Sequence, residues 1–419
     1  MKTDIGELIG KAREAQKTWG ALPYRRRAEA LGKAGRYLAA HIDEITGTIH
    51  ADNGKLPADA LATELLPALM AFAYYRKRGK RFLRERPVGG GNLLMFNKRS
   101  RLIYKPYGVV GIISPWNYPF AIPLSEVVMA LLAGNAVLLK TASLTPKVGR
   151  ALEAVFTAAE LPPHVFTYVE LPGREAGPAF IGKDASGVDK LFFTGSTVTG
   201  RELMSLAASR LLPLVLELGG ADAAVVCEDA DLDRAAAGIL WAGYSNAGQS
   251  CGGVQRIVVL KSVYQPFKEK LSALVRGLRR DIDMGAMTSL KQKETVRGQV
   301  EACLAGGAEI LAQSEGASLD DQDLHAPALL LGSVKSGMPI VDEEIFGPVA
   351  ALIPAADDEE ALRIANASSY GLTGSVWSRN RRRARALAAR INAGAVMIND
   401  HLMSHGLAET PWGGFGDSG

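Results

Sequence analysis

The sequence has little of what defines secreted, membrane or nucleic-acid-binding proteins. It contains three cysteines in 419 residues, and none lies in a CxxC pair. We therefore expect a reducing compartment, with the cytoplasm as the default, and no disulfide framework. The net charge is only +4, and the basic stretch RKRGKRFLRER at 76–86 has few interleaved aromatic residues. We interpret this stretch as a solvated helix face and expect no nucleic-acid partner.

Long apolar runs suited to a membrane span are also missing. Met1 leads into a polar amphipathic helix without the apolar core of a signal peptide. The stretch 106–125 has no charged residue, but its prolines at 115, 119 and 123 would break a spanning helix. We interpret it as a buried strand followed by a structured loop, and we expect no membrane partner. A chain of 419 residues is longer than one hydrophobic core usually supports, so two or more domains are expected.

The hydrophobic periodicity changes near residue 85. Before that point the intervals are those of helices, with one apolar stripe formed by Leu31, Ala34, Leu38, Ile42, Ile45 and Ile49. Beyond it, short apolar runs alternate with helical segments, which predicts parallel sheets with crossover helices. The predicted strands are 109–113, 136–140, 165–171, 190–195 and 212–218 in a first sheet, and 256–260, 308–311, 349–354, 373–378 and 394–399 in a second.

Polar motifs follow the ends of four predicted strands. They are SPWNYP after 109–113, KTASLTP at the end of 136–140, FTGSTVTGR after 190–193, and ELGG at the end of 212–218. Ligands of open parallel sheets bind at the carboxyl ends of the strands. Gly195, just before a helix that starts near Thr197, would offer free N–H groups and a positive dipole end to a phosphate. Together the four ends favour a dinucleotide site.

Cys251 lies in a loop of small residues, NAGQSCGGVQR at 246–256. The glycines at 248, 252 and 253 would clear side chains from the sulfur and let backbone N–H groups approach a bound group. Free cysteines are also commonly inert core residues, and that alternative stays open here. Neither Cys227 nor Cys303 has a comparable setting.

Six motifs in this order resemble the aldehyde dehydrogenase superfamily: SPWNYP, a lysine shortly before LTP, FTGSTVTGR, ELGG, NAGQSC and EEIFGPV. The resemblance runs from about Ile5 to the final PWGGFGDSG. It implies NAD(P)-dependent oxidation of an aldehyde to a carboxylic acid, on an α/β fold of two Rossmann-like parallel-sheet domains with a small β-hairpin oligomerisation arm. The predicted divisions are a dinucleotide-binding domain at 1–92 and 106–218, the hairpin at 93–105, a catalytic domain at 219–400, and a C-terminal segment at 401–419 that returns toward the active site.

The resemblance implies three catalytic residues. Cys251 would attack the aldehyde to form a thiohemiacetal and then a thioester. Glu217 would be the general base for Cys251 and for the hydrolytic water, with its pKa lifted by the apolar run LPLVLEL. Asn117 would donate its side-chain amide to the oxyanion, with the N–H of Cys251 as second donor. Otherwise Glu217 is a surface carboxylate at a strand end, and Asn117 is a turn residue.

The resemblance also implies NAD or NADP as cofactor. The implied contacts are Pro115 and Trp116 on the nicotinamide ribose side, Lys140 at the adenosine ribose, Ser196 at the pyrophosphate, and Glu344 and Phe346 at the nicotinamide ribose. The full predicted set is Ser114, Pro115, Trp116, Lys140, Ser143, Gly173, Thr194, Gly195, Ser196, Leu218, Glu344 and Phe346. Without the resemblance, EEIFGPV would be only a turn.

Ser143 departs from the family pattern. Many members have Lys-Pro-Ser-Glu where this chain has KTAS, and their glutamate binds the ribose hydroxyls of NAD and repels the 2′-phosphate of NADP. We therefore expect NADP to be used at least as readily as by members that carry the glutamate. The alternative is that Ser143 is simply a helix N-cap.

The substrate is expected to be an uncharged aldehyde. The positions expected to line the substrate tunnel, Tyr118, Ile122, Leu402 and Met403, offer no arginine to pair with a substrate carboxylate. His401 and His405 lie four residues apart, but without a third ligand we expect no metal site and interpret both as loop residues near the substrate mouth.

The expected assembly is a homodimer or homotetramer. Family members usually continue for some tens of residues beyond the GGF turn, including a strand that completes an intersubunit sheet, whereas this sequence ends at Gly419. Three other functions stay open: an acylating enzyme that passes the acyl group to coenzyme A or phosphate, a cofactor-independent thiol esterase, and a catalytically silent member. Glu217 as water activator favours hydrolysis.

Overall fold

The computed structural model describes residues 4–89, 92–183 and 186–419, and the side chains of residues 93, 404 and 405 lie outside this description. The first helices are α1 (Ile5–Ala21), α2 (Tyr24–Ala40), α3 (Ile42–Asn53), α4 (Pro57–Ala60), α5 (Leu66–Leu83), α6 (Ala121–Leu132), α7 (Pro146–Thr157), α8 (Gly173–Ile181) and α9 (Thr197–Ala208). The later helices are α10 (Leu232–Tyr244), α11 (Lys261–Arg276), α12 (Leu290–Ala305), α13 (Pro339–Asp342), α14 (Asp358–Ala365) and α15 (Arg381–Ala388).

Two sheets form the framework, and they confirm the predicted α/β fold with parallel sheets. A hairpin of β1 (Arg86–Val88) and β2 (Ser100–Leu102) precedes the first sheet, whose strands are β3 (Val109–Ile113), β4 (Ala136–Lys140), β5 (Phe166–Tyr168), β6 (Lys190–Thr194) and β7 (Leu214–Glu217). The strands of the second sheet are β8 (Asp222–Val226), β9 (Val254–Leu260), β10 (Glu309–Gln313), β11 (Leu329–Gly332), β12 (Val349–Ala355), β14 (Thr373–Trp377) and β15 (Ala395–Ile398). The short strands β13 (Tyr370–Gly371) and β16 (Phe415–Gly416) pair with each other.

The strand order of the first sheet places the four polar motifs at one edge of that sheet. The first sheet has the order β5-β4-β3-β6-β7, and all its pairs are parallel. The second has the order β10-β11-β12-β9-β8-β14-β15, and β10 with β11 is its antiparallel pair. Because parallel strands carry their carboxyl ends to the same edge, the loops after β3, β6 and β7 are neighbours.

Helices cover both faces of the first sheet. Val110 and Ile112 of β3 pack with Leu31, Phe72 and other residues of α2, α5, α6 and α7. The alternate residues of β3 point to the opposite face, against α1, α8 and α9. This two-sided burial explains why the strand is a continuous apolar run without polar alternation.

The sequence periodicity does not find every element. It misses β8, whose DAAVV has two alanines of low strand propensity, and β11, whose leucines fit a helix equally well. The predicted apolar stripe over 31–49 is divided between two helices, because α2 ends at Ala40 and α3 begins at Ile42.

The hairpin begins earlier than the pattern at 93–105 indicates. Its first strand is β1, and Arg86 pairs with Leu102 across to β2. Among the described residues, no single helix is long and apolar enough to cross a membrane, and the bent pair Ile42–Asn53 with Pro57–Leu83, at 117°, fits only by length and composition.

Candidate active site

Cys251 lies on an unusual loop between α10 and β9. Asn246 and Ala247 have left-handed backbone conformations, with φ of 53° and 52°, and Gly248 follows with φ of 69°. A Cβ on Gly248 would lie 2.1 Å from the carbonyl oxygen of Gly347. The glycine at 248 was expected to clear space around the sulfur of Cys251. For Gly248 this expectation is wrong, because another loop fills the space that its missing side chain leaves. Non-glycine residues in left-handed conformations cost energy and cluster at functional sites.

The turn between the two sheets brings Glu217 to the same cavity as Cys251. It is the last residue of β7, and a Cβ on Gly220 would lie only 2.2 Å from the carbonyl oxygen of Cys251. The glycine is thus required for the close approach of the two segments. Glu217 and Cys251 both line one cavity of about 360 Å³. The structure therefore brings together the predicted nucleophile and the predicted base.

The electrostatics suit a thiol that needs a base. Burial raises the pKa of Cys251 above its usual range, and the carboxylates of Glu344, Asp222 and Glu217 raise it further. Burial also raises the pKa of Glu217 to about 7. A carboxylate with a near-neutral pKa is a stronger base than an exposed one, and it is still ionised in part near pH 7.

Asn117 is buried beside the cysteine loop. Its side-chain Nδ2 donates to the carbonyl oxygen of Gln249 at 3.1 Å. Its own carbonyl oxygen accepts from Lys55 Nζ at 3.0 Å and from Asn246 Nδ2 at 3.0 Å. The amide is therefore held in place by the loop that carries Cys251, and its second N–H is available to another acceptor.

Lys55 and Glu64 form a buried ion pair that the sequence analysis misses. Their side chains are 0% exposed, and Lys55 Nζ lies 2.6 Å from Glu64 Oε1. Glu64 Oε2 accepts from the backbone N–H groups of Phe120 and Ala121 at 2.8 and 3.0 Å. The pair thus fixes both sides of the Asn117 loop. Glu64 lies in a π-helical turn, Leu61–Leu65, and such turns frequently occur at functional sites.

A second cavity, of about 260 Å³, lies on the other side of Cys251. Eight of the predicted cofactor residues line it: Pro115, Trp116, Thr194, Gly195, Ser196, Leu218, Glu344 and Phe346. The rings of Trp116 and Phe346 meet edge to face, with centroids 5.3 Å apart. Ser196 caps α9 by accepting from the N–H of Thr199. The other backbone N–H groups of the first helical turn have no partner within the helix, so they can bind a phosphate. Aromatic faces, a helix N-terminus and a carboxylate fit the nicotinamide, phosphate and ribose parts of a dinucleotide.

The other four predicted cofactor residues lie away from this cavity. Lys140 is buried at the end of β4, and its Nζ is 3.9 Å from where a Cβ of Gly173 would be, at the start of α8. Burial lowers the pKa of Lys140. Ser114 is buried directly after β3. Ser143 is exposed in a turn, and the N-cap of α7 is Thr145, so the alternative that Ser143 caps this helix is wrong.

The 360 Å³ cavity is mainly apolar. Its wall comprises Pro67, Ala71, Tyr75, Ala121, Ile122, Ser125, Glu126, Met129, Phe192, Thr194, Val215, Glu217, Leu218, Cys251, Gly406, Leu407, Ala408, Thr410, Pro411 and Trp412. No lysine or arginine is among these described residues.

Of the four positions expected to line the tunnel, only Ile122 is on this wall. Tyr118 instead packs under Lys55 Nζ, 4.1 Å from the ring centroid, and Leu402 belongs to the core beneath the second sheet. Met403 is exposed and is not among the described lining residues. The wall is built largely from α5, α6 and the C-terminal segment, and no local sequence pattern connects α5 or the C-terminal segment to Cys251.

His401 is a buried structural residue and does not lie at the substrate mouth. Its Nε2 is 3.1 Å from both the carbonyl oxygen of Gly252 and Thr373 Oγ1, and its Nδ1 is 2.8 Å from Ser375 Oγ. Burial lowers its pKa to about 4, so it is neutral near pH 7. The side chain of His405 lies outside the described residues. Within the described part of the chain, no group of three or more His, Cys, Asp or Glu could hold a metal ion.

Comparison with known proteins identifies the family. Residues 1–419 match the model of the aldehyde dehydrogenase family. A 4,4'-diapolycopene aldehyde oxidase from Methylomonas sp is 36% identical over 422 residues, which cover 99% of this chain and 77% of that relative. Succinic semialdehyde dehydrogenase from Streptococcus pyogenes, solved in complex with NADP+, has a TM-score of 0.92 at 26% identity, covering 100% of this chain and 91% of that one. An NAD-dependent aldehyde dehydrogenase from Sinorhizobium meliloti has a TM-score of 0.92 at 31% identity, covering 99% and 82%. The motif-based prediction of family and reaction is confirmed: the chain belongs to the aldehyde dehydrogenase family and is an NAD(P)-dependent enzyme that oxidises aldehydes.

Proposed function

We propose that the chain oxidises an uncharged, largely apolar aldehyde to its carboxylic acid by a hydrolytic mechanism. The observation that carries this proposal is the 360 Å³ cavity, which joins an apolar wall to Cys251 and Glu217 and has no lysine or arginine among its described lining residues. Two carboxyl groups, those of Glu126 and Glu217, face the same space. A substrate carboxylate would be desolvated there without a partner and close to like charge, which is expensive.

The chain's own residues supply the covalent and acid–base steps. Glu217 takes the thiol proton of Cys251, and Sγ attacks the aldehyde carbon to give a thiohemiacetal. The side-chain amide of Asn117 and the N–H of Cys251 donate to the oxyanion. The bound NAD or NADP supplies the hydride acceptor. Once Glu217 has released the thiol proton to solvent, it takes a proton from the water that attacks the resulting thioester, and the C–S bond breaks to release the carboxylic acid and the Cys251 thiolate.

Each of the predicted cofactor residues is assigned to one part of the dinucleotide. Pro115, Trp116, Glu344 and Phe346 would hold the nicotinamide ribose side, and Ser196 with the start of α9 would hold the pyrophosphate. Lys140 and Ser143 would meet the adenosine ribose, near Gly173. The remaining members, Ser114, Thr194, Gly195 and Leu218, would shape the path between these ends.

The substrate class has a direct test. We expect a kcat/KM for hexanal at least about tenfold above that for succinic semialdehyde, since about 1.4 kcal/mol of uncompensated desolvation suffices for that ratio. The same assay with and without coenzyme A separates hydrolysis from acyl transfer, and the rate should not depend on coenzyme A. A preference for succinic semialdehyde would refute the proposed substrate class, and a requirement for coenzyme A would refute the hydrolytic mechanism.

Cofactor preference depends on Ser143. In Ser143→Glu, the NADP to NAD ratio of kcat/KM should fall, because a carboxylate a few ångströms from the 2′-phosphate costs about 1 to 4 kcal/mol at effective dielectric constants of roughly 80 to 20. Ser143→Gln, which has the same shape without the charge, is the matched control. If both variants give the same ratio as the original chain, Ser143 has no part in the choice.

The domain roles and assembly are further parts of the proposal. The units 1–92 with 106–218, and 219–400, would be the dinucleotide-binding and catalytic domains, with 401–419 returning to the active site. The hairpin arm exposes apolar side chains that a homodimer or homotetramer would cover: Val88, Leu94, Phe96 and Leu102. The three cysteines are unpaired thiols, which supports a reducing compartment such as the cytoplasm.

A further inference from the structure

Glu126 is a buried carboxyl group that the mechanism above does not use. It lies on α6, on the face that lines the substrate cavity together with Ile122, Ser125 and Met129. Its residue is only 9% exposed. Oε1 accepts a long hydrogen bond of 3.5 Å from Thr194 Oγ1, and Oε2 is buried without a hydrogen-bond partner. Unsatisfied buried oxygens are costly and rare in folded proteins.

Glu126 and Glu217 share one part of the cavity wall. Thr194 on β6 is the register partner of Glu217 on β7, so the hydroxyl that contacts Glu126 is beside the proposed base. Glu217 Oε2 is likewise buried without a partner. Two unsatisfied carboxyl oxygens facing one cavity fit a proton path between them, made directly or through one water.

The charge state fits such a path. Burial, and then the negative charge of Glu217, raise the pKa of Glu126 to about 8. The other titratable groups on the cavity wall are Tyr75 of α5 and Cys251. Burial raises the pKa of both, so they are neutral near pH 7. A carboxyl that is mostly neutral near pH 7 can accept a proton at one oxygen while it releases one from the other.

We propose that Glu126 relays to solvent the proton that Glu217 takes from the hydrolytic water. The inference rests on the proposed role of Glu217. Glu217 receives the water proton as the C–S bond of the thioester breaks. It passes that proton to one oxygen of Glu126, whose own proton leaves from the other oxygen, so both residues return to their starting states. The cavity reaches the surface at Met129, which lies one turn further along α6 and is 38% exposed.

The test follows the decay of the Cys251 acyl group. The enzyme is mixed with hexanal and NADP, quenched at intervals and weighed by mass spectrometry, which isolates hydrolysis from the earlier steps. In Glu126→Gln, acyl formation should be unchanged and hydrolysis should slow by about tenfold or more, in a weakly buffered solution near pH 7. Added imidazole or formate should restore the rate in proportion to its concentration, because a small acid can carry the proton instead. Glu126→Asp should retain most of the rate.

Glu269→Gln, at an exposed position on α11, is the control for a carboxyl-to-amide change. The relay is refuted by unchanged hydrolysis in Glu126→Gln, and equally by slow hydrolysis that imidazole and formate do not restore, which would indicate a structural role. Failure of the proposed function gives a different result: Glu217→Gln would then hydrolyse the acyl group at the original rate.

Discussion

Cys251→Ser should abolish aldehyde oxidation and leave the binding of NAD and NADP nearly unchanged. The serine hydroxyl is a far weaker nucleophile than a thiolate in this setting, and loss of a nucleophile typically lowers turnover by at least about a thousandfold. Cofactor affinity should persist, because the second cavity is formed mainly by loops after β3, β6 and β7 and by EEIFGPV. Turnover is measured by the absorbance of the reduced cofactor, and affinity by isothermal titration.

Cys303→Ser is the matched control. Cys303 is fully buried, and its Sγ accepts from the N–H of Ile340 at 3.5 Å, in the core of the second sheet. This variant should keep its turnover. Full turnover in Cys251→Ser would remove Cys251 from the mechanism.

Glu217→Gln should stall after the first half of the reaction. The expected trace is a slowed burst of reduced cofactor that still approaches one per active site, because the Cys251 thiol has lost its base. A steady state at least about a hundredfold below that of the original chain follows, because the hydrolytic water has lost its base as well. A base works only in its deprotonated form, and burial raises the pKa of Glu217 to about 7. In the original chain kcat should therefore rise as the pH increases through about 7, and this rise should be absent in the variant.

The pH profile separates a chemical role from a structural one. A variant that is merely misfolded would lose its burst along with its steady state. Unchanged steady-state turnover in Glu217→Gln would show that another group activates the water.

The sequence predicts much of the fold, because the interior strands of parallel sheets leave a local signal. β3 and β4 are five-residue runs buried along their whole length, so their apolar composition is visible without knowledge of their neighbours. The predicted cofactor residues that reach one cavity do so because parallel strands end at the same edge. The resemblance, and not the periodicity, assigned their roles.

The parts that could not be predicted depend on contacts between distant residues. Lys55 and Glu64 read as solvated charges on a helical segment, and only the packing of the Asn117 loop over them makes them a buried pair. Glu126, in the stretch SEVVMALL, could likewise be a solvated charge on a helix face, and only the folded structure shows that it is buried. His401 lies in a glycine- and serine-containing stretch that reads as surface loop, but its backbone partner is Gly252, about 150 residues earlier in the chain.

Peptide mass spectrometry of Glu217→Gln, after it is mixed with hexanal and NADP, tests the role of Cys251 as acyl carrier most directly. We predict one hexanoyl group on the peptide that contains Cys251, and none when NADP is omitted, because the thioester forms only after the hydride has left. A hexanoyl group on another residue, or none on Cys251 while reduced cofactor accumulates, would contradict it.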